Sequence, residues 1–152
     1  MLILRQSEDV ERIIPILLDA LPFEDRLRTE LSSLDLAIYE AVFDERLVGA
    51  VALRWAELSE IAILGVDRSA RQLGHGTAIV GRVIEEARLR GVHHILVGTA
   101  SFSLDNILFY QKCGFRMSHV RRDHFTRSFP EIEPIVWRGI TLKDMIVFEL
   151  LL

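Results

Sequence analysis

A helical period over residues 74–90 lies between two runs of strand-forming residues, 60–66 and 94–98, and this arrangement restricts the fold more than any other feature of the chain. Val80, Val83, Ile84 and Ala87 recur on one face of the segment, and Gly91 follows as a left-handed stop. A strand, a helix and a strand in that order make a crossover, which lays a helix against a sheet.

The remaining elements fall on either side of it. Residues 2–5 read as a first strand, and Ser7 with Glu8 and Asp9 as a helix start, the hydroxyl capping orphan amides. Ile13, Ile14, Leu17, Leu18 and Leu21 then repeat at helical spacing until Pro22 interrupts them; Phe23, Leu27 and Leu31 predict a second short helix. From Leu36 the period changes. Segments 36–43 and 47–55 are apolar and β-branched, and Asp44-Glu45-Arg46 joins them as a hairpin. Residues 104–112 predict a short helix stopped by Gly114, and 115–120 and 145–152 two last strands. The order β-α-α-β-β-β-α-β-α-β-β predicts an α/β fold: a mixed, mostly antiparallel sheet flanked by helices on both faces. At 152 residues a single domain over 1–152 is expected.

Composition narrows the function. There are 18 Lys+Arg against 22 Asp+Glu, a formal net charge of -4, and the short runs Arg88–Arg90 and Arg121–Arg122 form no basic stripe, so nucleic acid is not an expected partner. Cys113 is the single cysteine, which excludes an intrachain disulfide and a cysteine-based zinc cluster. The start turns polar at Arg5 before a signal core forms, and the apolar stretch 13–18 is too short to span a bilayer. A reducing cytoplasm is the expected location, with no membrane association.

Arg71-Gln72-Leu73-Gly74-His75-Gly76-Thr77 stands between a strand and the start of the strongest helix. Glycines let the backbone approach a ligand, and free N–H groups and the helix dipole favour negative charge, so a pyrophosphate suits the place. The plainer alternative is a loop that only turns the chain. A dinucleotide fingerprint fails here because a third Gly near Ile79 and an acidic residue closing the next strand are missing, and a P-loop because no Gly-Lys-Ser/Thr follows. A second constellation pairs Asn106 and Tyr110, four residues apart on one helix face and followed by Gly114 and Phe115. Taken alone, it reads better as a surface aromatic and a near-cap amide.

Together and in this order, the two segments resemble the core of the GNAT superfamily of acyl-CoA-dependent N-acetyltransferases. Arg71, Gly74 and Gly76 match its Arg/Gln-x-x-Gly-x-Gly/Ala loop; Asn106, Tyr110, Gly114 and Phe115 match its later Asn…Tyr-x-x-x-Gly-Phe segment. The resemblance implies that acetyl-CoA binds in the splay between strands 60–66 and 94–98, with no metal required. Its pyrophosphate would lie on Arg71, Gln72, Leu73, Gly74, His75, Gly76 and Thr77, and the backbone of Leu64, Gly65 and Val66 would hold the thioester carbonyl, Gly65 suiting a bulge. Asn106 would bond the pantetheine arm or a nearby backbone group. Tyr110 matches the family's usual general acid, and Glu60 a glutamate that some members use as base, with an ordinary strand-end carboxylate as the equal alternative.

Residues 123–144 show no period of their own, which suggests a binding loop. Glu131 and Glu133 make a cationic amine plausible there, with Trp137 as a third acceptor contact; a surface excursion or dimer contact is the alternative. The expected reaction is direct attack of a small-molecule primary amine on acetyl-CoA. A CoA-binding sensor without turnover and a transferase acting on protein or peptide amines are the alternatives. The apolar tail 146–152 suggests a homodimer or, equally, a buried central strand.

Overall fold

The structure, a computed structural model, describes residues 1–152. It is α/β, and seven of its nine strands belong to one mixed, mostly antiparallel sheet. Contacts divide the chain into two compact units, one of residues 1–95 with Leu152 and one of residues 96–151.

The first unit contains β1 (Ile3–Gln6), α1 (Ile14–Leu17), α2 (Glu24–Leu31), β2 (Leu36–Phe43), β3 (Arg46–Arg54), β4 (Leu58–Val66) and α3 (His75–Leu89). The four strands form an antiparallel meander after β1. Arg46 pairs with Phe43, so the β2–β3 hairpin turns on only two residues, Asp44 and Glu45, and both take positive φ, 48° and 62°. That conformation matches the right-handed twist of the flanking strands, and the twist selects it even without glycine. The expected three-residue link is shortened accordingly.

Successive side chains of β3 point to opposite faces, and a helix layer covers each. Ala50 and Ala52, with Ile63 of β4, pack against Ile13, Ile14, Leu17, Leu27 and Leu31. On the other side α3 buries Val80, Val83 and Ala87, as its spacing predicts, whereas Ile84 is only half-buried and Ile79, one turn earlier, is buried in addition; a Cβ on Gly49 would come within 2.7 Å of Ile79 Cδ1. Small residues on β3 thus let both layers approach the sheet closely. Glu40 of β2 is 2% exposed, yet its carboxylate accepts from Arg5 at 2.6 Å and Arg12 at 3.2 Å, which compensates the buried charge.

Three local expectations are corrected here. The cap near the N-terminus is Asp9, whose carboxylate accepts from the Glu11 amide at 3.0 Å; the Ser7 hydroxyl is buried without a hydrogen-bond partner. The helix expected to start at Ser7–Asp9 and run to Leu21 is instead a 3-10 turn, Val10–Arg12, followed by the single-turn α1. Pro15 explains the break, because it lacks the N–H that a continuous helix would need there and suits a first turn. The β-bulge of β4 falls at Ala62, since Ala52 pairs with Ile63 and Leu53 with Ile61; Gly65 stays in register opposite Ala50.

The second unit holds most of β5 (His94–Ala100), then α4 (Leu104–Lys112), β6 (Arg116–Arg121), α5 (His124–Ser128), β7 (Val136–Trp137), β8 (Ile140–Thr141) and β9 (Met145–Leu151). β6 and β9 pair antiparallel, and Phe115 and Phe148 are buried around Tyr110 of α4. Residues 123–144 are not structureless: α5 and the β7–β8 hairpin lie within them. The hairpin turns on Arg138 and Gly139, with φ of 48° and 78°. No helix is long and apolar enough to cross a membrane.

Candidate active site

In the first unit the site is built where β4 ends and α3 begins. Gly74 takes φ 81° as the residue before α3, and Gln72 φ 61°, so the chain reverses within a few residues. The first helical bond runs from the Ala78 amide to the Gly74 carbonyl at 3.0 Å, which leaves the amides of His75, Gly76 and Thr77 without helical acceptors. No side chain caps them and no acidic residue occupies the first turn. An α-helix of this length therefore presents an uncompensated positive end, the chemistry of an anion site.

The loop side chains have distinct tasks. His75 is buried with its ring 5.0 Å from that of Phe43, so its contribution to a ligand is its amide. Leu73 is 70% exposed, and Arg71, Gln72 and Thr77 are exposed as well. Arg71 folds back: its Nε donates to the Val66 carbonyl at 3.1 Å and its guanidinium to Asp19 at 2.5 Å. Asp19 also takes two bonds from Arg68, at 3.0 and 2.7 Å. These guanidiniums, Arg68 first and then Arg71, hold the Asp19 carboxyl down to a pKa of about 2. Loop 67–74 is tied at its other side by Asp67, which receives the Ser69 amide at 3.0 Å.

Glu60 stands at the opposite end of β4, about 20 Å of strand from Val66. It lies across from Arg54 in the ladder, with its carboxylate 3.9 Å from that guanidinium, and its side chain is 31% exposed. Leu64, Gly65 and Val66 lie together at the loop end of β4, as expected.

In the second unit, Asn106 and Tyr110 share a face of α4. The Asn106 amide reaches the Thr99 hydroxyl of β5 at 3.4 Å. The Tyr110 ring is clasped by Phe109, Phe115 and Phe148, at centroid distances of 5.0, 5.8 and 6.1 Å. Burial, with a smaller contribution from Cys113, pushes the phenol pKa well above its ordinary value. Tyr110 is thus a protonated donor over the whole working pH range. Trp137 packs on Phe102 at 5.7 Å and carries the Arg138 guanidinium 4.5 Å from its ring centre; Glu131 and Glu133 are exposed. His124 is packed against Phe125 and Phe129, and burial followed by Arg121 lowers its pKa.

Asp19, Phe43 and Ile16 escape sequence reasoning. Each acts across a separation of tens of residues, and no local spacing marks it.

A sheet with helices on both faces, followed after its fourth strand by a helix start with free amides, defines an α/β protein whose chemistry suits a phosphorylated ligand. The profile of the acetyltransferase (GNAT) family matches residues 8–115. The chain belongs to that family. Over 87 residues it is 36% identical to the uncharacterised N-acetyltransferase YvbK of Bacillus subtilis (strain 168), a match covering 57% of this chain and 55% of that protein. It spans little more than half the length of the curated relatives it matches. Among solved structures, an acetyltransferase of Bacillus subtilis in complex with CoA superposes with a TM-score of 0.84 at 29% identity, over 99% of this chain and 97% of the other. A GNAT family acetyltransferase from Elizabethkingia anophelis with acetyl-CoA bound gives 0.84 at 25% identity, over 100% and 97%.

Proposed function

We propose that this protein is an N-acetyltransferase that takes its acetyl group from acetyl-CoA and passes it to a small-molecule primary amine. The observation that carries this reading is the start of α3, where three amides without helical acceptors follow Gly74 and no carboxylate competes for them. Those amides and the exposed face of residues 71–77 fit a pyrophosphate. Two family structures at 29% and 25% identity hold CoA and acetyl-CoA, which supports the same donor here.

Acetyl-CoA supplies an activated carbonyl and a sulfur that leaves as thiolate. The chain supplies the rest. The backbone of Leu64, Gly65 and Val66 is the proposed donor to the carbonyl oxygen, where negative charge develops. Tyr110 is the proposed acid. Its raised pKa makes full proton donation to a thiolate uphill, so its share is a hydrogen bond to the sulfur that strengthens as charge builds, with proton transfer late. The amine enters neutral, and the proton it sheds balances the one the thiol gains. Glu60, a third exposed, is the proposed final acceptor of that proton; it stands about 13 Å of strand from Leu64, so a relay of several waters has to carry the proton to it. Asn106 is the proposed partner of the pantetheine arm.

Glu131 and Glu133, both exposed, support a cationic acceptor; Trp137 on the same segment, one ring face of which already carries the Arg138 guanidinium, is the proposed apolar contact. The test is acetyl-CoA-dependent thiol release across polyamines, aminoglycosides, amino acids and short peptides. Release with a small amine supports the proposal. Release with peptides alone overturns the acceptor class, and acetyl-CoA binding without release from any amine overturns the catalytic reading in favour of a sensor.

A further inference from the structure

The pair of arginines beside the anion loop is not free to meet a ligand independently. Arg71 is clamped at two points, by the Val66 carbonyl and by Asp19, and Arg68 meets the same carboxylate through two nitrogens. Asp19 comes from the turn after α1, far from the loop in sequence. Its reach is set by the backbone contact of the same helix with β4: a Cβ on Gly65 would lie 2.8 Å from the Ile16 carbonyl, so α1 sits directly against the strand whose last carbonyl Arg71 holds. A guanidinium has five N–H donors in a rigid fork; two bonds fix its plane and leave the remaining donors for an anion.

We infer that Asp19 is a positioning residue for coenzyme binding: by fixing Arg71 against Val66, it sets the conformation in which residues 71–77 receive the pyrophosphate. The inference rests on the proposed use of this loop and adds a residue that no motif marks. The side chains are 28% exposed for Asp19 and 44% for Arg71, so as a simple surface ion pair the contact would contribute little to stability. Its effect is on order. Without the carboxylate, a flexible arginine beside a glycine-containing loop samples many rotamers, and that entropy is lost on binding. Electrostatics alone predicts the opposite, because deleting an anion next to a phosphate site would strengthen binding.

The two effects therefore differ in sign, and calorimetric titration with CoA separates them. Asp19→Ala is expected to raise the CoA dissociation constant by about tenfold, Arg71→Ala by a similar factor, and the double variant by no more than the worse single one. Asp19→Asn keeps an oxygen acceptor and the side-chain shape, and is expected to recover part of the loss with a melting temperature close to that of the unmodified protein. A merely structural role would give neither the non-additivity nor this rescue. Unchanged or tighter CoA binding in Asp19→Ala, or additive effects with Arg71→Ala, overturns the inference. Failure of the unmodified protein to bind CoA overturns instead the reading of the loop on which it rests.

Discussion

Gly65 of β4 meets Ile16 of α1 so closely that a Cβ on the glycine would stand 2.8 Å from the Ile16 carbonyl oxygen and 3.2 Å from its Cγ2. The obstruction is backbone, which cannot rotate away. Gly65→Ala should therefore destabilise the protein by about 1–3 kcal/mol, as overpacking does, with a lowered urea midpoint as the readout. An unchanged midpoint would show that α1 can shift at no cost.

Gly76→Asp separates folding from ligand binding. A carboxylate in the first turn of a helix complements its dipole, so the melting temperature should hold or rise slightly. The same charge repels a pyrophosphate. CoA affinity measured by calorimetry should fall by at least about tenfold, and an unaltered dissociation constant would remove the anion assignment of the α3 start.

Tyr110→Phe should leave the aromatic cluster with Phe109, Phe115 and Phe148 intact while removing the hydroxyl. Turnover is expected to drop by about a hundredfold with little change in acetyl-CoA affinity. Because burial raises the phenol pKa, ionisation of Tyr110 should impose no alkaline limb on the rate below pH about 10. Such a limb, present in the unmodified enzyme and absent in the variant, would contradict this environment.

Asp19 predicts a pH dependence of stability. Its folded pKa, about 2, lies below the unfolded value, so the folded state makes a gain from its ionisation above pH about 4, small because solvent screens the exposed guanidiniums, and loses that gain as pH falls toward 2. Denaturation midpoints across this range should show a shallower acid limb in Asp19→Asn than in the unmodified chain. Parallel limbs would mean that the carboxylate is not held in solution as it is here.

What the sequence makes legible is what local spacing controls. α3 and α4 follow from periodicity and from Gly91 and Gly114, whose φ values of 69° and 97° are the left-handed stops expected of them. The anion loop is legible for the same reason, since its glycines and the helix that follows are contiguous. The β7–β8 hairpin was concealed because two-residue strands show no alternation, although Arg138-Gly139 does carry a turn signal. The bulge at Ala62 was not legible at all: an extra residue in one strand is defined only by its partner's register, and the glycine at 65 answers to Ile16 instead. Likewise the Arg71–Asp19 contact spans most of the first unit, and no pattern within either segment announces it.

The central claim is that residues 71–77 hold the pyrophosphate of an acetyl donor, and calorimetric titration of the unmodified protein with acetyl-CoA tests it most directly. The account predicts saturable binding of one acetyl-CoA per chain, displaced by CoA and weakened by Gly76→Asp. Absence of binding to correctly folded protein, or binding that Gly76→Asp leaves untouched, would contradict it.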